Sequence, residues 1–141
     1  MKTRRFGFSL VLLLFSVILF GCRSGDGPAE FLYREADVET VRIQLTESFP
    51  VGASAVVQGT VSEACAQVDE IRQDYISSTS TFVLTLTTRR PVEEPCIQDV
   101  TPFEAIVPLA VERLHAGVYT VVANGVTASF RLEVDNMAPI R

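Results

Sequence analysis

The stretch VYTVVANGVTASFRLEV, Val118 to Val134, holds two runs of alternating side chains joined by Asn124-Gly125. Alternation at every second residue is the period of a strand with one face buried. Asn-Gly suits the positive φ angles of a type I′ turn, whose twist matches that of the strands it joins. The stretch therefore predicts a β-hairpin. The turn sets the register, so Val126, Ala128, Phe130, Leu132 and Val134 share a face. The bulk of Phe130 and Leu132 makes it the core face.

The same period extends toward the N-terminus. Phe103, Ala105, Val107, Leu109 and Val111 line one side of a run containing Pro108, whose missing N–H suits an edge or a bulge. Before the SSTS turn comes a weaker candidate, Gln67 to Ile76. After that turn, Phe82, Leu84 and Leu86 alternate with Thr81, Val83, Thr85 and Thr87, a pattern rich in strand formers. Ala55, Val57, Gly59 and Val61 predict another strand, and Val41, Ile43 and Leu45 one more before ESFPVG. About seven short strands with almost no helical period predict an all-β fold, an antiparallel β-sandwich over residues 38–135 with a tail at 136–141.

The segment LHAGVYTV, Leu114 to Val121, resembles the approach to the penultimate strand of immunoglobulin-like domains. There a glycine turn precedes a tyrosine whose hydroxyl bonds back to upstream backbone. Gly117 and Tyr119 are the matching residues. The chain departs from the antibody pattern, having no Trp and no cysteine two positions after Tyr119. More broadly, TTRRP, Cys96, PFE, LHAGVYTV and NGVTASF look like a module recurring at the C-terminus of secreted bacterial lipoproteins of unassigned function. The resemblance covers roughly residues 55–134. It implies an immunoglobulin-like sandwich and brings no activity with it.

At the other end, Lys2, Arg4 and Arg5 precede an apolar run from Phe6 to Phe20, then Gly21 and Cys22. Charge, apolar run and small residue come in the order of a signal peptide. The run of about 15 residues covers roughly 23 Å of a hydrocarbon core about 30 Å thick, too little for a comfortable span. Leu19-Phe20-Gly21-Cys22 resembles the lipobox of bacterial lipoproteins, although Phe20 is bulkier than the usual occupant of its slot. The resemblance implies cleavage after residue 21, diacylglycerol on the Cys22 sulfur and acylation of the new amino terminus. Two or more acyl chains hold a protein stably at a membrane where one holds it only marginally. Arg23, where an Asp commonly retains Gram-negative lipoproteins at the inner membrane, points to the outer membrane. Residues 22–37 then read as the lipidated cysteine and a tether, opened by Ser24, Gly25, Asp26, Gly27 and Pro28. Phe31, Leu32 and Tyr33 interrupt that tether and read as lying against the domain or beginning its first strand, the alternative being a partner-docking segment.

The leader holds three of the 12 basic residues and none of the 17 acidic ones, so the mature chain has nine bases and a net charge of −8. That balance argues against nucleic acid and anionic headgroups as partners, since both require a basic patch. About 120 residues make one domain.

With Cys22 taken by lipid, Cys65 and Cys96 form an even pair in an oxidising compartment and predict one disulfide. The loop they close holds about 31 residues, for which chain entropy gives roughly 3 to 4 kcal/mol. Metal binding by this pair needs further ligands, and His115 is the single histidine, so no metal or cofactor is expected. His115 in the RLHAG turn reads as a solvated residue, and no Gly-x-Ser-x-Gly elbow exposes a nucleophile. Glu93 and Glu94, or Asp69, Glu70 and Asp74, read as an acidic surface. Arg89 and Arg90 could dock an anion, but neighbours on a strand face opposite ways.

No enzyme is expected. The expectation is a lipid-anchored envelope protein whose sandwich is a binding or structural module for an envelope protein, peptide or glycan. The alternative is an immunoglobulin-like protease inhibitor working through loops at one end. It requires ESFPVG, EEPCIQDVTP and RLHAG to form one projecting surface.

Overall fold

The computed structural model describes residues 30–92 and 95–137. The leader, Cys22 and most of the tether therefore lie outside the described residues, as do Glu93 and Glu94. Eight strands are described: β1 Phe31–Glu35, β2 Asp37–Leu45, β3 Ala53–Val61, β4 Gln67–Ile76, β5 Thr81–Pro91, β6 Thr101–Leu109, β7 Gly117–Ala123 and β8 Val126–Leu132. They form a β-sandwich. One sheet has the order β2-β3-β6; the other holds β1, β4, β5, β7 and β8.

β5 organises the larger sheet. β4 pairs along one side of it, while β1 and β7 lie end to end along the other, β1 against Thr87 to Pro91 and β7 against Thr81 to Leu84. Side chains pointing inward from both sheets make the core. Ala55, Val57, Phe82, Leu86, Val121 and Ala123 are fully enclosed. Strands with one apolar face can remove it from water only against another such face, which is why the alternation read from the sequence produces two layers.

Four expectations are corrected. First, the domain boundary moves from residue 38 to Phe31, because Phe31 to Tyr33 begin a strand, one of the two placements expected of them against the domain. Phe31, Leu32, Tyr33, Arg34 and Glu35 pair with Pro91, Arg90, Arg89, Thr88 and Thr87, and the chain changes sheets at Ala36, which is 5% exposed. Arg34 and Glu35 hid this strand, because backbone pairing and not a clean apolar face holds it. Second, β5 and β7 are parallel, so the arrangement is not the wholly antiparallel one of immunoglobulin domains. The cause is the route: β5 is followed by β6 in the other sheet, and the chain returns at the end where β5 began. Third, Val134 is 54% exposed because β8 stops at Leu132, whereas Phe130 and Leu132 are buried as predicted. Fourth, Asn136, assigned to the C-terminal tail, is 1% exposed and packed into the domain, while residues 138–141 lie outside the described residues.

The hairpin turn is built as the sequence predicts, with φ of 42° at Asn124 and 91° at Gly125. Asn124 does more than turn. Its Oδ1 accepts from the Leu86 N–H at 3.0 Å, and its Nδ2 donates to the Ala36 and Leu86 carbonyls at 2.8 Å. These bonds fill the interval on β5 where β7 has ended and β1 has not begun. Gly59 is demanded by packing: a Cβ there would overlap the Asp37 carbonyl oxygen and crowd the Phe103 ring. It lies beside the irregularity in β2 between Val38 and Thr40.

Candidate functional site

The strand directions give the sandwich two unlike ends. At one end lie the β2–β3 loop with ESFPVG, the SSTS turn, the RLHAG turn and the segment after β8. At the other lie the β3–β4 and β5–β6 loops, joined by the Cys65–Cys96 disulfide with a Cα separation of 5.6 Å. The Ala64 N–H also donates to the Ile97 carbonyl at 3.0 Å. The three turns that an inhibitor surface requires are therefore divided, two at one end and residues 95–102 of EEPCIQDVTP at the other.

The first end is held by polar contacts. Asn136 Oδ1 accepts from the Val51 N–H at 2.7 Å, and its Nδ2 donates to the carbonyls of Val51 and Val111. The Tyr119 hydroxyl donates to the His115 carbonyl at 2.8 Å. Burial, with Tyr75 and Asp135 nearby, pushes the Tyr119 pKa up, so that hydroxyl stays protonated. Gly117 opens β7 without steric need for glycine, since an added Cβ meets only Tyr119 Cε2 at 3.9 Å. The left-handed residue of this turn is Arg113, at φ 64°. His115 is largely exposed, its Nδ1 3.4 Å from Asp135 Oδ1. The Asp135 carboxyl is held below the usual range, first by the Ala116 N–H it accepts and then by His115. This end is built to hold loops together, and its polar groups are spent on one another.

The disulfide end is open and polar. A pocket of about 290 Å³ lies in the mouth between the sheets, lined by Leu32, Arg34, Val61, Glu63, Thr88 and Arg90 among others. Arg89 and Arg90 diverge as strand geometry requires. Arg90 turns inward, its Nε 2.7 Å from Glu63 Oε2; Arg89 turns outward, 3.0 Å from Asp69 and with its guanidinium 4.9 Å above the Phe31 ring. Arg90 Nε and Glu63 Oε2 are both shielded from water without forming an aligned hydrogen bond. A shielded pair of this kind gains little net stability because desolvation offsets attraction, but loss of either partner strands the other. It fixes two side chains across the gap between the sheets.

Arg34 enters the same pocket and, among the described residues, has no ion-pair partner. The Glu63 carboxylate also lies within 4.8 Å of both cysteine sulfurs. Those sulfurs are joined to each other, so they offer no thiolate to a metal. Arg34 and Glu63 escape the sequence reading: Arg34 falls in the segment read as tether and Glu63 between two predicted strands, and the pocket exists only because β1 brings Arg34 beside β5.

Residues 55–132 match the family model described as the ORF11 beta-sandwich domain. The chain belongs to the ORF11 beta-sandwich domain family. Its ORF11 segment runs from within β3 to the end of β8, so it includes both disulfide cysteines and the hairpin, but not β1 or β2. Among curated proteins it is similar to an uncharacterized 10.2 kDa protein in the HgiCIIM 5′ region of Herpetosiphon aurantiacus. The identity is 30% over 95 residues, covering 67% of this chain and 98% of that protein. Two further 10.2 kDa proteins of that organism, in the HgiBIM and HgiEIM 5′ regions, are each 26% identical over 85 residues, covering 60% of this chain and all of theirs. No solved structure matches the chain.

Proposed function

We propose that this ORF11-family protein is a lipid-anchored envelope lipoprotein whose sandwich is a non-catalytic binding module, with a peptide or glycan held in the polar mouth at the disulfide end. The observation that carries the reading is the contrast inside the sandwich. The middle of the sandwich is filled by apolar side chains, whereas here the space between the sheets is a pocket that holds Arg34, without an ion-pair partner among the described residues, beside a fixed Glu63–Arg90 pair. Arg34 offers a planar fork of donors suited to a carboxylate or to sugar hydroxyls. The disulfide staples the two loops that frame the mouth, which reduces the ordering cost of binding. The inhibitor alternative is less favoured because its three turns lie at opposite ends.

Two measurements test the reading. The anchor predicts that the mature N-terminal peptide begins at Cys22 and carries diacylglyceryl and acyl mass, and that Cys22→Ser leaves the leader attached. A mature N-terminus without acyl mass, read by mass spectrometry, overturns the anchor. The pocket predicts that ligand recovered with the intact protein from envelope extracts falls about tenfold or more in Arg34→Glu, a change equivalent to about 1.4 kcal/mol. Arg131→Glu, on the outward face of β8, should recover it in full. Equal recovery by both variants overturns the pocket.

A further inference from the structure

Among the described residues β4 is an edge strand, hydrogen-bonded to β5 alone. Of the other edges among the described residues, β6 carries Pro102 and Pro108, β2 and β8 pack beside each other, and β1 is only five residues long. β4 has neither proline nor lysine in its ten residues, and its own irregularity falls between Val68 and Glu70, leaving Glu70 to Ile76 regular. An unblunted edge of this kind is a template for another strand.

The direction of its free backbone groups follows from β5. The Leu84 carbonyl and the Leu86 N–H and carbonyl bond toward Asn124 and Ala36, away from β4. Alternation along an antiparallel ladder then turns Thr81, Val83 and Thr85 toward β4, where they meet Ile76, Asp74 and Arg72. The N–H and C=O groups of Ile71, Gln73 and Tyr75 are left facing outward. On the inner face of the same strand Ile71 is 37% and Tyr75 39% exposed, because the three-stranded sheet does not fully cover β4. Between them the Gln73 amide oxygen is shielded from water and has no hydrogen-bond partner.

We propose that β4 pairs antiparallel with β4 of a second copy about a two-fold axis through Gln73. This register sets residues 71 and 75 opposite each other, and likewise 72 and 74. On the inner face each Ile71 meets the partner's Tyr75, and the two Gln73 amides, turned toward the axis, bond each other. On the outer face each Arg72 lies opposite the partner's Asp74 at positions where side chains approach most closely. A shift of two residues in one direction sets Arg72 against Arg72 and Glu70 against Asp74, so charge selects the register. The partner is a second copy because the strand is complementary to itself: its apolar pair, its charge pair and its lone amide all match on reversal.

Disulfide trapping in the full chain tests this in intact envelopes. Cα atoms of a directly opposed, hydrogen-bonded pair lie about 5.5 Å apart, within disulfide reach. Gln73→Cys under mild oxidation should give a band at twice the monomer mass that reducing agent removes. Thr127→Cys, on the outward face of β8, should give none. Adding Arg72→Asp to the Gln73→Cys chain should reduce the dimer about tenfold or more, and adding Asp74→Arg as well should restore it, because the swapped charges again oppose. Absence of a dimer from Gln73→Cys overturns the pairing. A dimer that ignores Arg72→Asp, or that the double exchange does not restore, overturns the register.

Discussion

Phe130→Ala is expected to destabilise the protein by roughly 3 to 5 kcal/mol, the range for removing a buried aromatic side chain. Phe130 is 7% exposed on the inner face of β8, its ring centroid 5.5 Å from that of Tyr119 and 6.2 Å from that of Phe82. Truncation removes the transfer energy of the ring and leaves a cavity among strands that cannot close without disturbing the β7–β8 register. Phe130 sits opposite Tyr119 in that register. The hydroxyl that ties Tyr119 to the His115 carbonyl is thus held in place partly by the Phe130 ring. Thr127→Ala, three residues away on the exposed face opposite Val122, should change stability by less than about 0.5 kcal/mol. Urea denaturation of both variants checks the pair of values. Equal destabilisation would mean the inner face has been misassigned, and every inward residue counted from the Asn124-Gly125 turn with it. Against a typical total of about 5 to 15 kcal/mol for a small domain, the expected loss is large enough to populate unfolded chains.

The sequence disclosed most where local chemistry and tertiary packing demand the same thing. Asn124-Gly125 has one good use between two alternating runs, and Phe82, Leu84 and Leu86 announce a buried face wherever their strand is placed. It disclosed little where a residue's role is set by distant chain. Asn124 reads as a turn residue, yet its side chain also satisfies Leu86 and Ala36, which are 38 and 88 residues away. Val56 falls on the polar side of the β3 alternation, yet is only 3% exposed, because its cross-strand neighbours Arg42 and Ile106 cover it. β1 shows the same limit for the candidate site. Its Arg34 and Glu35 look like tether until the pairing with Thr88 and Thr87 is known, and only that pairing brings the Arg34 guanidinium into the mouth. The parallel β5–β7 pair leaves no local mark at all, since parallel and antiparallel partners of a half-buried strand are written with the same alternation.

Asn136 carries the other large expected effect. It lies beyond the last strand in the segment that the sequence reading assigns to a tail, yet it is 1% exposed and joins three segments. Its side chain bonds the Val51 N–H at 2.7 Å, the Val51 carbonyl at 2.8 Å and the Val111 carbonyl at 2.9 Å. Its own backbone N–H donates to the Leu114 carbonyl and its carbonyl accepts from the Arg113 N–H. Asn136→Ala leaves three backbone groups without partners in a place with little access to water. At about 1 to 3 kcal/mol for each buried group so stranded, partly relieved by water at Val51, the expected loss is on the order of 4 kcal/mol. Asn136→Asp should also destabilise, since a carboxylate can still accept from the Val51 N–H but sets negative charge against two carbonyl oxygens. Urea denaturation measures both losses, and amide hydrogen exchange locates them. Protection should fall at Val51, Arg113 and Asn136 in Asn136→Ala, while the Leu86 amide, held by Asn124, keeps its protection relative to global unfolding. A variant as stable as the parent would mean that the β2–β3 loop and the RLHAG turn hold their places without the asparagine between them.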